Sequence, residues 1–106
     1  MIMLIEDIHD LLAVPEPADS SVFVDRVDAT LTAGYAHALQ LEGERWRLQR
    51  RLGDVAAHSA DAHPEARADE FADVSKKLQV TNEELGRLRV LLAALRDRRR
   101  LLRHTA

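Results

Sequence analysis

The chain contains no cysteine, which removes disulfide bridges, thiolate metal sites and thiol nucleophiles from consideration. Four glycines and three prolines in 106 residues are too few for a turn-rich sheet protein, and only 4% of the chain is aromatic. Aliphatic and charged residues dominate instead, the balance of helical bundles and coiled coils. Long apolar runs are also missing. The opening MIMLIEDIHDLLAV is interrupted by Glu6, Asp7 and Asp10 and has no basic start, so it reads neither as a signal peptide nor as a membrane span. These absences together predict a protein of the cytoplasm.

Signatures of chemistry are equally scarce. There is no glycine-rich phosphate loop, nucleophile elbow or paired-histidine zinc motif. Ser20, Ser21, Ser59 and Ser75 suit helix caps and turns. His58, Asp61, His63 and Glu65 gather in one connection, but at no spacing that specifies a metal. The expectation is a non-enzymatic protein without a catalytic residue, metal or cofactor.

What the sequence does carry is helical periodicity. Ile2, Ile5, Ile8, Leu11 and Leu12 define a short amphipathic helix over residues 1–14, which Pro15 and Pro17 end. After a linker over 15–20, capped by Asp19, Ser20 or Ser21, a long helix is expected over 21–57. Its apolar series is Val24, Val27, Leu31, Gly34, Ala38, Leu41, Leu48, Leu52 and Val55, in steps of three and four broken only by Arg45. A turn over 58–63 precedes a second long helix over 64–103, with Pro64 in its first turn. There Phe71, Val74, Leu78, Thr81, Leu85, Leu88, Leu92, Leu95, Arg99 and Leu102 repeat the same rhythm. A short connection makes the two long helices antiparallel. The predicted fold is therefore all-α, a two-helix coiled-coil hairpin with a short N-terminal helix.

Heptad spacing leaves two alignments of the hairpin. One sets Leu48 against Phe71 and Leu41 against Leu78; the other slides the last helix by a heptad, so that Leu48 meets Leu78. The first places Arg51 beside Glu70, Glu44 beside Lys77 and His37 beside Glu84. The second sets Glu44 beside Glu84 and Arg51 beside Lys77. Each such pair is worth only a few tenths of a kcal/mol, but the signs agree, and the first alignment is expected.

Charge is distributed unevenly along the chain. Residues 1–29 hold seven acids against one arginine, and residues 86–106 hold seven arginines against one acid. An antiparallel hairpin brings these ends together, so much of the basic field is neutralised internally. The net charge is −3, far from the one-sided positive surface that phosphate contacts call for. Arg47 and Arg50 in the stretch ERWRLQRRL, and Arg98 and Arg100 near the C-terminus, are the candidates for an anion site, for nucleic acid or a nucleotide, as the second reading.

Tyr35, Leu39 and Trp46 fall outside the hairpin seam, as do Phe23, Val90, Leu91 and Leu101 on other flanks. A two-helix seam covers one stripe, so a further surface is expected to cover these. Tyr35, Leu39 and Trp46 are the expected partner interface, since tryptophan and tyrosine are enriched among interface anchors. The first reading is an interaction protein that forms a homodimer, closing into a four-helix bundle, or docks another protein in a regulatory or assembly role.

Overall fold

The computed structural model describes residues 2–15, 20–58 and 63–105, without the side chains of 103–105. The expected linker and turn, with Pro17, Asp19, Ser59 and Asp61, lie largely outside these residues. The described residues form three helices and no strand: α1 (Ile2–Ala13), α2 (Ser20–Ala57) and α3 (Pro64–Thr105). No helix among them is long and apolar enough to cross a membrane.

The ends of the long helices follow from local chemistry. At the end of α2 the His58 N–H donates to the Val55 carbonyl at 3.2 Å, and the His58 ring Nδ1 lies 2.7 Å from the Asp54 carbonyl oxygen. A carbonyl only accepts, so Nδ1 carries the proton. Two of the orphan carbonyls that every helix end leaves are thus satisfied by one residue. At the start of α3, Pro64 occupies the first helical position, where a missing N–H costs nothing. The Arg67 N–H then donates to His63 O at 3.1 Å.

The chain divides into two compact units, Met1–Leu39 with Gly86–Ala106, and Gln40–Leu85. In the first, α1 packs with the early part of α2 and the late part of α3. Ile8, Leu11, Phe23, Val27, Leu31, Gly34, Ala38, Leu88, Leu92 and Leu95 are buried there. In the second unit only two helical segments meet. Leu41, Val55, Val74, Thr81 and Leu85 are buried, while Leu48, Leu52 and Leu78 are half-buried. Three helices enclose a core on more sides than two, which accounts for the contrast. It also accounts for Phe71. Expected in the seam, it stays 43% exposed, because nothing in the second unit closes over a side chain that large.

The alignment of the long helices departs from expectation in the first unit. Gly34 packs directly against the Leu92 side chain, the pairing produced by the heptad slide and not by the favoured alignment, which would place Leu85 there. The slid pairing coincides with an ion pair between Asp28 and Arg99. Asp28 receives Arg99 in two hydrogen bonds, Nε to Oδ1 at 2.7 Å and Nη2 to Oδ2 at 3.3 Å. A bidentate pair of this kind is stronger than single exposed contacts. In the second unit the expected Arg51–Glu70 pair does form, at 3.3 Å, and Arg67 joins the same carboxylate group at 3.3 Å.

Candidate functional site

α1 is amphipathic, and its buried residues Ile8 and Leu11 define where it sits. The chain leaving it is tied to α3 by Arg98, whose Nη2 donates to the Val14 carbonyl and lies 3.5 Å from that of Pro15. The same guanidinium lies 5.4 Å from the centre of the Phe23 ring, a favourable cation–π distance. Phe23 is 5% exposed and belongs to the core, although the heptad series leaves it on a flank. Its distances of four to Val27 and eight to Leu31 are the signal: they widen the apolar face beyond two positions per heptad, as a helix with two neighbours requires.

Arg98 thus links the end of α1 to the Phe23 ring, and another face of α2 stays uncovered. In the first unit Tyr35 and Leu39 remain 47% and 69% exposed. In the second unit Trp46 is 61% exposed. Within the first unit α1 therefore does not bury Tyr35 or Leu39. Val90 and Leu101, also outside the seam, are exposed too, whereas Leu91 is half-buried.

The four candidate anion-binding arginines fall into different settings. Arg98 is directed at the carbonyls and ring just described, and its Nε is buried without a hydrogen-bond partner. Arg100 lies 3.7 Å from Asp97 one turn before it. Arg50 stands over Trp46 at 5.7 Å from the ring centre. Arg47 folds back along the helix, with Nη1 3.4 Å from the point a Gly43 Cβ would occupy. A shallow depression near the end of α3 is lined by Asp28, Arg96, Arg99 and Arg100. There the hydrogen bond that Arg99 donates to Asp28 and the nearby charges of Asp28 and Asp25, acting against desolvation, hold the Arg99 guanidinium above its ordinary pKa. Of the residues lining this depression Asp28 is the one acid, and it receives Arg99, while Arg100 lies near Asp97.

A second groove, in the other unit, is lined by Glu44, Asp73, Lys76, Lys77, Val80, Thr81 and Glu84. Charges of both signs alternate around an apolar floor, with no nucleophile beside a base and no convergent set of donors. Among the described residues no group of three or more His, Cys, Asp or Glu side chains could hold a metal ion. Comparison with models of protein families, with curated proteins and with solved structures finds no match to this chain.

Proposed function

We propose that this chain is a non-enzymatic helical interaction protein that self-associates, or docks a partner protein, through the uncovered face of α2. The supporting observation is the exposure of Tyr35 and Leu39 in the first unit and of Trp46 in the second. Trp46, the largest aromatic side chain, is left mostly in water, where burial would stabilise it by about 2 kcal/mol or more as an interface anchor. Closure of two hairpins about a two-fold axis into a four-helix bundle is the simplest way to cover that face. A regulatory or assembly role is the matching expectation for such a chain, and a sequence without cysteine suits the reducing cytoplasm.

Sedimentation velocity on the purified chain tests this reading. The wild type is expected to form dimers at tens of micromolar, and the pair Leu39→Gln with Trp46→Gln to sediment as a monomer with undiminished helical circular dichroism. A monomeric wild type would leave only docking to a different protein. Loss of helix in the double variant would mean that the face belongs to the chain's own core.

Nucleic acid is the less favoured ligand, because Arg98 and Arg99 are engaged within the fold and the net charge is −3. Fluorescence anisotropy with labelled duplex DNA should show little or no binding near physiological salt. Tight binding that falls with a log–log salt slope of about −0.9 per phosphate neutralised would instead favour the anion-binding reading.

A further inference from the structure

Within the first unit, the paired stretches of α2 and α3 have one side taken by α1 and one side open. Two adjacent arginines mark them, because neighbouring residues of a helix point about 100° apart. Arg98 turns to Val14, just past the end of α1, and Arg99 turns to Asp28 on α2. On α2, Asp28, Thr32, Tyr35 and Leu39 follow one another by four, three and four residues, so they share one stripe. All four are exposed, and the stripe runs along the side that Arg99 faces. On α3, Arg96 and Arg100, one turn apart and both exposed, line the shallow depression with Asp28 and Arg99. The open side therefore joins an apolar pair on α2 to a basic edge on α3.

The charges on this side decide what fits it. Asp28 and Arg99 satisfy each other through two hydrogen bonds. Arg96 has no ion pair or hydrogen bond among the described residues, and Arg100 stands 3.7 Å from Asp97 with both side chains more than half exposed, too far for a hydrogen bond. The acids near Arg99 are Asp28 and Asp25, both on α2. A continuous polyanion laid along the open side would meet those aspartates and be repelled. A helix with carboxylates along one edge sets them over α3 alone and turns its apolar residues to Tyr35 and Leu39. The stripe from Asp28 to Leu39 is about 17 Å long, the length of three helical turns.

We infer that this side of the first unit receives an acidic amphipathic helix of a partner protein, with two carboxylates one turn apart on Arg96 and Arg100 and apolar residues on Tyr35 and Leu39. The inference rests on the docking reading above and names the chemistry of the partner. Asp28, already paired with Arg99, does not compete for the other two arginines. Guanidinium and carboxylate meet in charge-assisted, often bidentate pairs, so the basic edge fixes where the partner helix lies, and the apolar pair supplies buried area. The α1 helix of a second copy carries Glu6, Asp7 and Asp10 but is not the occupant, because Ile8 and Leu11 commit its apolar side to its own chain.

The test offers the full chain to a displayed library of amphipathic helical peptides whose positions flanking the apolar stripe are randomised. Enriched peptides should carry Asp or Glu four residues apart on one flank. In fluorescence anisotropy, Arg96→Glu combined with Arg100→Glu should weaken an enriched peptide by about thirtyfold or more. The same peptide with its two acids changed to lysine should bind that variant within a few-fold of the original pair. Tyr35→Gln with Leu39→Gln should weaken the original peptide by about tenfold or more. All four side chains are exposed, so circular dichroism should show helix content unchanged in both variants. Enriched peptides with basic or uncharged flanks, or an affinity indifferent to the arginine reversals, would overturn the acidic chemistry; if binding still depends on Tyr35 and Leu39, docking through α2 stands. A library that yields no binder would also overturn this inference, and the sedimentation experiment decides self-association independently of it.

Discussion

Replacing Ile8 by alanine is expected to lower the unfolding free energy by about 2–5 kcal/mol, the range for truncating a fully enclosed aliphatic side chain. Ile8 is 0% exposed although it sits on a helix of only 12 residues. A helix that short is marginal in water by itself, so α1 is helical because it is docked. Ile2 offers the control. It is 76% exposed, and Ile2→Ala should stay within about 0.5 kcal/mol of the wild type. Urea unfolding followed by circular dichroism measures both. Equal effects at the two positions would mean that α1 contributes nothing to the first unit. The series Ile8→Val, Ile8→Ala and Ile8→Asp adds a second reading. If α1 detaches as a whole, the loss should level off at the docking energy of the helix, and the aspartate should cost little more than the alanine.

The seam positions were legible because a three-four spacing admits few interpretations. Val27, Leu31, Leu41, Leu85, Leu88, Leu92 and Leu95, all in the heptad series, are buried. The surface left over was legible by the same arithmetic: Tyr35, Leu39 and Trp46 lie off the seam, and all are exposed. Periodicity was silent about where α1 attaches. An amphipathic helix announces that one face is buried, not against what. The attachment depends on Arg98 reaching Val14, 84 residues away in sequence. Nor does a basic residue near a C-terminus reveal that it will turn inward to a carbonyl and an aromatic ring. A run of arginines reads as surface charge until the neighbours of each one are known.

The alignment in the first unit was missed for a different reason. Exposed pairs on one flank are each worth only a few tenths of a kcal/mol, less than the bidentate Asp28–Arg99 pair offers. Arg99 sits in the heptad series itself, where a charge is out of place unless something receives it. Looking for its acceptor would have led to Asp28 and to the slid alignment. A charged residue at a seam position is thus a better guide to alignment than several on the rim.

Gly34, Gly53 and Gly86 provide the second large effect, and its sign changes with position. A Cβ at Gly34 would overlap Leu92 Cδ2 and stand 3.3 Å from Cγ and 3.5 Å from Cδ1. Leu92 is 3% exposed, so it has no open space into which to rotate. Gly34→Val is therefore expected to destabilise the chain by about 2 kcal/mol: overpacking costs about 1–3 kcal/mol, and valine recovers only about 0.4 kcal/mol of helix propensity over glycine. At Gly53 and Gly86 nothing lies within 4 Å of an added Cβ. Gly53→Ala and Gly86→Ala should each stabilise by about 0.5–1 kcal/mol, the ordinary gain of alanine over glycine inside a helix. Urea midpoints of the three variants give the signs directly. A double-mutant cycle then isolates the contact. In a Leu92→Ala background the space above position 34 is vacated, and Gly34→Ala should turn from neutral or harmful to stabilising by about 1 kcal/mol. If Gly34→Ala behaves identically with and without the Leu92 side chain, the two residues do not touch in solution, and the slid alignment of the first unit is incorrect.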